Sequence, residues 1–533
     1  MRKYYFLIFF LLNAVFVMAQ TQLVFVFFRD KPNSADFFQN PLSELSQKSL
    51  DRRAAQGIEL NEQDAPLEDT YVQAVKDLGF TVTDTSKWLN GVAVNADEQQ
   101  IAQLKNLSFV ASVESFAKNA ITTTEKRKTG KNKFDSESRN FDYGYSEEQI
   151  EQINLRALHV MGYTGTGITI AVLDTGFPNV DKGSSYKRLR DNGQIKGGYN
   201  FVQKNNDIYN PALNTHGANC LGIMGGYVEN AFTGSAPDAD YYLYATENAE
   251  HEIPEEELYW IEAAEEADRV GADVISSSLG YGFDFDDSRY DYQYEDMTGS
   301  RSFIARGAQA AVEKGIIVSA AAGNEGNNNW HYILSPADNT KVFTVGGVDS
   351  SGDASVFSSY GPNASGAPKP DGSARGTFTA YTTANGISAG NGTSYATPLV
   401  SGGFACLLQV VGKTANRETI MSKVRETASL YPSHDDQLGY GILNFYEAYK
   451  NLILKTQNST AAHVDIFPNP AHSGFRITTP DKILKVEIFD ATGKQTHCFA
   501  RQEKYSISEL PAGIYFIKIT TSTGVTVKKL VKN

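Results

Sequence analysis

Cysteine is scarce in this chain: Cys220, Cys406 and Cys498 are the only three in 533 residues. So sparse and odd a set excludes a disulfide scaffold, and at least one thiol stays free unless it pairs between chains. Cys220 and Cys406 fall in apolar helical patterns, where a free thiol acts as a small buried hydrophobe, and neither sits in a thiol-activating arrangement. Positive charge is also short. Lysine and arginine total 48 against 62 acidic residues, a formal net charge of −14. That excludes a nucleic-acid binder, which needs a basic face to neutralise phosphate, and argues against tight binding to anionic lipid. Long apolar runs are missing beyond the N-terminus. Met1 to Ala19 combines Arg2 and Lys3, an apolar run from Tyr4 to Leu12 and small residues near Val17-Met18-Ala19, and reads as a secretory signal peptide. Asn13 interrupts the run, which is short for a membrane span of about 20 residues. No later segment reads as long and apolar enough to cross, so no stable transmembrane anchor is expected.

The chain does have apolar mass, with 41% hydrophobic and 21% charged residues, enough to build cores in about three or four units. Residues 20–120 read as a small α+β unit. Its strands are Leu23–Phe27, Phe80–Val82, Leu89–Val94 and Val110–Glu114, and its helices Pro41–Gly57, Thr70–Leu78 and Asp97–Leu104. Residues 121–147 are polar, crowded with lysine from Glu125 to Lys131, and read as an exposed linker and processing region, with a basic partner-binding tract as the rival reading. From 148 to 454, apolar runs such as Ile168–Leu173, Asp273–Ser276 and Ile316–Ala320 alternate with helical stretches such as Glu255–Val270 and Phe303–Lys314. Strands without polar alternation are covered on both faces, which predicts a mainly parallel sheet with helices on each side. A polar run at Thr456–Thr460 marks a linker over 455–464, and 465–533 holds short β runs, Val486–Phe489 and Ile514–Ile519, with turns at Ala491–Lys494 and Ser522–Gly524. That pattern predicts a small β-sandwich.

Four short motifs carry chemistry. Asp174, in Val172-Leu173-Asp174-Thr175-Gly176, ends a buried strand at a glycine turn, the edge where α/β sheets build sites. Asp-Thr-Gly also matches the aspartic-protease loop, but those enzymes need two carboxylates sharing a proton, and no second Asp-Thr-Gly or Asp-Ser-Gly occurs. His216, in Thr215-His216-Gly217, opens a helix of small residues. Ser394, in Gly392-Thr393-Ser394-Tyr395-Ala396-Thr397-Pro398, stands at the start of an apolar helix, where unpaired N–H groups and the positive end of the helix dipole lie. Pro398 falls near the first turn, where a missing donor costs least. The nucleophile elbow Gly-x-Ser-x-Gly of lipases competes, but position 396 is alanine. Asn324, in Ala322-Gly323-Asn324, follows a strand and offers a side-chain amide to a developing oxyanion. Each residue alone has a bland alternative as a cap or turn; together Asp, His and Ser occur in the chain order of subtilisin, with the amide between His and Ser.

On these motifs the stretch from about Ser146 to Leu454 resembles the subtilisin family, as do Gly234–Ala239 and Gly439–Asn444. The resemblance implies a serine endopeptidase that cuts protein or peptide substrates through an acyl-enzyme. Ser394 would be nucleophile, His216 general base, Asp174 its orienting partner, and Asn324 an oxyanion donor. Ser278, Leu279 and Gly280 would pair with the substrate backbone and Gly323 would line the specificity pocket. No cofactor enters the chemistry and no metal-ligand set is assigned. The acidic, aromatic segment Phe283 to Asp296 remains open between a preference for basic substrates, a structural calcium site and a solvated loop. The N-terminal unit resembles the family's inhibitory propeptide, an intramolecular inhibitor. The tail, with Ile466-Phe467-Pro468-Asn469-Pro470, Leu510-Pro511-Ala512-Gly513 and Lys528–Lys532, resembles the sorting domain of type IX secretion substrates. That implies contact with the secretion machinery and export through the periplasm and outer membrane to the surface or medium. A catalytically dead scaffold serving as an adhesin, and a generic carbohydrate- or protein-binding sandwich for the tail, are the rival readings.

Overall fold

Thr169–Asp174 is six consecutive buried residues, and its alternate side chains enter different cores. Ile170 and Val172 face one layer, Ala171 and Leu173 the other, the two-residue period of a strand buried on both faces. Six more strands join it, all parallel, in the spatial order Gly372–Arg375, Phe343–Val348, Ile317–Ala321, Val274–Ser277, Thr169–Asp174, Asp240–Ala245 and Ile195–Asn200. The chain enters mid-sheet and winds both ways, so Thr169–Asp174 has Asp240–Ala245 on one side and Val274–Ser277 on the other. The crevice beyond the strand C-termini at such a reversal is where open α/β sheets hold ligands.

The computed structural model describes residues 20–118, 144–412, 415–460, 464–490, 494–522 and 525–533. The expected signal peptide, the lysine-rich tract Glu125–Lys131 and the turns around 491–493 and 523–524 lie outside the described residues.

His216–Gly225, Thr393–Val411, Arg417–Glu426 and Phe445–Thr460 cover one face of the sheet; Glu255–Val270 and Phe303–Glu313 cover the other. Glu255–Val270 begins with three glutamates, suited to the positive end of the helix dipole, and stops at Gly271 in the left-handed region (φ 82°). Thr393–Val411 corrects one expectation: by length and composition it is apolar enough to span a membrane. Here Thr393 to Leu408 are all buried, so protein rather than lipid surrounds the helix.

The N-terminal unit is a four-stranded antiparallel sheet in the order Val82–Ser86, Gly91–Ala96, Gln22–Phe28, Val110–Ser115. Val24, Val26 and Phe28 pack with its own helices Asp69–Asp77 and Glu98–Lys105. Leu23 and Phe25 face the other way, into the core beneath Glu255–Val270 and Phe303–Glu313. The expected helix Pro41–Gly57 divides into a short turn, Pro41–Ser43, and a helix, Gln47–Gln56. Ser46 breaks it, because its Oγ accepts the Ser49 N–H at 3.2 Å and caps a fresh start. Helices reach into both expected linkers: Tyr145–Gln152 begins at the end of the first, and Phe445–Thr460 runs through the polar residues at the start of the second. The C-terminal unit is two antiparallel sheets of three and four strands around Phe475, Val486, Ile488, Ile517 and Ile519.

Candidate active site

Asp174 ends its strand at the sheet reversal, fully buried, with Oδ1 accepting the Thr175 N–H at 2.8 Å. Asn214 Oδ1 accepts the His216 N–H at 2.8 Å and fixes the start of the His216–Gly225 helix. The imidazole Nδ1 then lies 2.7 Å from Asp174 Oδ1. The glycine after the histidine is required by close approach: a Cβ at Gly217 would lie 2.5 Å from the Gly176 carbonyl and 2.9 Å from Asp174 Cβ. Asp174 Oδ2 is buried with no hydrogen-bond partner among the described residues, so the carboxylate keeps acceptor capacity next to the imidazole.

Ser394 is the second residue of Thr393–Val411, and its Oγ donates to the Ser278 carbonyl at 3.1 Å. Pro398 is not in the first turn, as expected, but in the second, and its consequence lies at the site. Four residues downstream, it has no N–H to give the Ser394 carbonyl. That carbonyl instead accepts Ser278 Oγ at 2.8 Å and Cys220 Sγ at 3.5 Å. The proline thus exchanges a helix bond for two ties from neighbouring elements. Asn324 acts from outside as the helix cap: its Oδ1 accepts Thr393 N at 2.8 Å and Thr393 Oγ1 at 3.0 Å, leaving Nδ2 as its free-standing donor group. Gly323 needs to be glycine, with φ +112° and a Cβ that would lie 2.6 Å from Ser359 Oγ. Beyond Ser278, the N–H and C=O groups of Leu279 and Gly280 have no backbone partner among the described residues, an open edge for an extended peptide.

The structure pairs Asp174 with His216 and Ser394 with Ser278, places Cys220 between the two pairs, and ties Asn324 to Thr393 beside Ser394; Gly323, Leu279 and Gly280 adjoin Asn324 and Ser278 in the chain. Sequence reasoning missed Thr393, which holds Asn324, and Cys220. The Cys220 sulfur is 3.8 Å from His216 Nδ1 and 3.9 Å from Nε2. Its position one helical turn after His216, on the same face, was the available signal. Burial, then the Asp174 charge, push the thiol pKa well above its ordinary value, so it remains a protonated packing group. Cys220→Ser, nearly isosteric and still able to donate to the Ser394 carbonyl, is expected to retain kcat/KM within about threefold; steady-state kinetics on a peptide substrate check this.

A profile of the subtilase family matches residues 165–441. The chain belongs to the subtilase family. The Bacteroidota S8 propeptide domain matches residues 23–134, and the secretion-system C-terminal sorting domain matches 465–533. Subtilisin NAT of Bacillus subtilis subsp. natto is 28% identical over 380 residues, covering 70% of this chain and 84% of its own. The subtilisin of Bacillus pumilus is 30% identical over 305 residues, covering 56% of this chain and 97% of its own. Serine protease AprX of Bacillus subtilis strain 168 is 32% identical over 224 residues, covering 39% and 46%. This subtilase is therefore a serine peptidase made with a propeptide, and its chemistry uses no cofactor. Its sorting domain marks it for export across the outer membrane, to be secreted or held at the surface.

Much of the propeptide's docking on the subtilase domain follows the Glu255–Val270 helix, remote from the motifs. Glu265 accepts Ser86 Oγ at 2.6 Å and Trp88 N at 3.0 Å, while Glu262 accepts Thr85 N at 3.0 Å. Further along the same helix, Asp268 accepts Arg53 Nη1 at 2.7 Å and Nη2 at 2.9 Å, and also binds Arg52. Arg53 reaches Asp64 at 2.6 Å, and Lys314 reaches Asp64 at 3.1 Å, with every side chain in the cluster buried. The acidic segment after Gly280 is equally committed: Asp286 pairs with His251 at 2.7 Å, Asp287 with Arg289 at 2.6 Å, and Asp291 accepts Phe285 N at 3.0 Å. Among the described residues, the one group of three potential metal ligands is Asp174, His216 and Cys220. There the carboxylate and imidazole already bond each other and the thiol keeps its proton, a poor fit for an ion.

Proposed function

We propose that this subtilase is a secreted endopeptidase, made as a self-inhibited precursor, in which Ser394, His216 and Asp174 hydrolyse peptide bonds through an acyl-enzyme. The observation that carries this reading is the 2.7 Å Asp174–His216 bond at the sheet reversal, beside a serine at a helix N-terminus. Ser394 Oγ attacks the scissile carbonyl carbon as its proton passes to His216; the imidazolium then gives that proton to the leaving amine, and water repeats the sequence to release the acid. Asp174 holds the imidazole tautomer and stabilises its charged form. The Ser394 N–H and Asn324 Nδ2 receive the oxyanion, while Ser278, Leu279 and Gly280 align the substrate and Gly323 lines its pocket. In the precursor, a signal peptide to 19, a propeptide over 20–120 and a processing region over 121–147 precede the peptidase at 148–454, followed by a linker and the sorting domain from 465.

A serine-directed phosphonate tests the assignment: the processed enzyme should be labelled stoichiometrically, with the adduct mapped by mass spectrometry to Ser394. A folded, propeptide-free protein that resists labelling would be a binding scaffold instead. Asn324→Ala should lower kcat by about 10²–10³ with little change in KM, the usual loss for one oxyanion donor; equal losses from Asn324→Ala and Asn324→Gln with unchanged KM would fit the role, whereas a rise in KM alone would place Asn324 in ground-state binding.

A further inference from the structure

The segment that follows the substrate strand is a packed element, not a loose loop. Phe285, Tyr290, Tyr292 and Met297 are all buried. It meets the propeptide at both ends of its described residues, 20–118. The Leu23 N–H donates to Tyr290 Oη at 3.0 Å, the Arg289 guanidinium donates to the Thr21 carbonyl at 3.3 Å, and the Lys118 N–H donates to the Arg289 carbonyl at 2.6 Å. Lys118 then lays its ammonium over the Tyr292 ring, 4.2 Å from the centroid, with Nζ bonded to the Phe116 carbonyl at 2.6 Å.

The ring is held in place for such a contact. Tyr292 Oη donates to Glu257 Oε1 at 2.7 Å, and the other Glu257 oxygen accepts the Ile304 N–H at 3.0 Å. The Tyr292 N–H donates to the Gly282 carbonyl at 2.7 Å. Gly282 lies four residues past Ser278, whose carbonyl holds Ser394 Oγ. An extended chain advances about 3.3 Å per residue, so the ring face stands roughly four or five residues from the scissile bond. The cut proposed above falls in the region after Lys118, so Lys118 lies on the acyl side of that bond. Burial lowers the Lys118 ammonium from its ordinary range, and the Glu257 charge works against that shift. A desolvated ring face backed by a carboxylate suits a cation.

We propose that the segment from Phe283 to Tyr294 forms an upstream substrate subsite for a lysine or arginine side chain, with the Tyr292 ring as its floor and Lys118 of the propeptide as its occupant before activation. This rests on the peptidase reading above and adds a substrate class to it. Basic residues at that position should be recognised in protein substrates, while glutamate there should be disfavoured.

The test uses enzyme processed from the full-length precursor and quenched-fluorescence peptides that share one cleavage site. Lysine, arginine, acetyl-lysine, norleucine or glutamate is placed in turn three to seven residues before the bond cut. Lysine or arginine should raise kcat/KM over acetyl-lysine and norleucine by about 2- to 30-fold, the span of a cation–π contact from exposed to desolvated, at one position only. In Tyr292→Leu the lysine-to-norleucine ratio should fall to about one, whereas Tyr292→Phe, which keeps the ring face, should keep it. Should the leucine variant not fold, the acetyl-lysine comparison in wild type still decides. Equal cleavage of all peptides by wild type, or a ratio that survives in Tyr292→Leu, overturns the subsite while leaving the peptidase standing. No cleavage of any peptide, with no phosphonate labelling, overturns the peptidase reading itself.

Discussion

Ser394→Ala is expected to abolish proteolysis, with kcat falling by about 10⁶, the size of loss that removing the nucleophile causes in subtilisin. Two readouts should move together. Casein cleavage by the purified variant should vanish, and intact mass should show a precursor that keeps its propeptide, because the proposed self-processing uses the same hydroxyl. Little rearrangement should follow. The Oγ makes one bond, to the Ser278 carbonyl, whereas the Ser394 backbone carbonyl keeps its ties to Ser278 and Cys220. Circular dichroism should therefore match wild type. Proteolysis surviving in a homogeneous Ser394→Ala preparation would show that another group is the nucleophile.

The second large effect lies far from the chemistry. Asp268→Ala leaves Arg52, Arg53 and Lys314 buried with Asp64 as their remaining carboxylate in the cluster. Removing one partner from a buried ionic cluster typically costs about 3–5 kcal/mol, because the stranded charges have lost both water and partner. On a Ser394→Ala background, where processing cannot intervene, the precursor should unfold at clearly lower denaturant concentration. On the active background, less processed enzyme should accumulate. Once the propeptide has gone, the arginines go with it, and the same substitution should hardly alter the mature enzyme's turnover. An unchanged denaturation midpoint would mean that the cluster does not hold the precursor together. The pH dependence has a definite sign. Burial alone would raise the Asp268 carboxyl, but the Arg52 and Arg53 charges and hydrogen bonds overcome it and hold it at about 2. With an unfolded value near 4, the cluster's contribution is complete above about pH 4 and is lost as pH falls through about 2.

The legibility of the sequence follows the range of the forces involved. Ile168–Leu173 could be read as a buried strand because burial on both faces leaves a local apolar run, and Glu255–Val270 because its start and stop chemistry is local. Asp174, His216, Ser394 and Asn324 stood out because close approach of backbone to backbone imposes small residues around them, as Gly217 shows. What could not be read depends on distant partners. Arg52 and Arg53 look like the solvated face of a helix until Asp268, more than 200 residues away, meets them. Pro398 looked tolerable only in a first turn, because its compensating donors belong to Ser278 and Cys220. The polar residues of Phe445–Thr460 suggested a linker, although apolar Phe445 and Ala448 anchor that helix in the core.

The ties that the Ser394 carbonyl receives in place of a Pro398 N–H bear on how such an enzyme changes over evolutionary time. In the proposed mechanism Ser278 supports the nucleophile's backbone and also opens the segment that would align the substrate, so a change that retunes selectivity there should perturb turnover as well. On that reading, drift in preference should be channelled away from Ser278 and toward segments such as the one after Gly280, which among the described residues makes no hydrogen bond to Asp174 or Ser394.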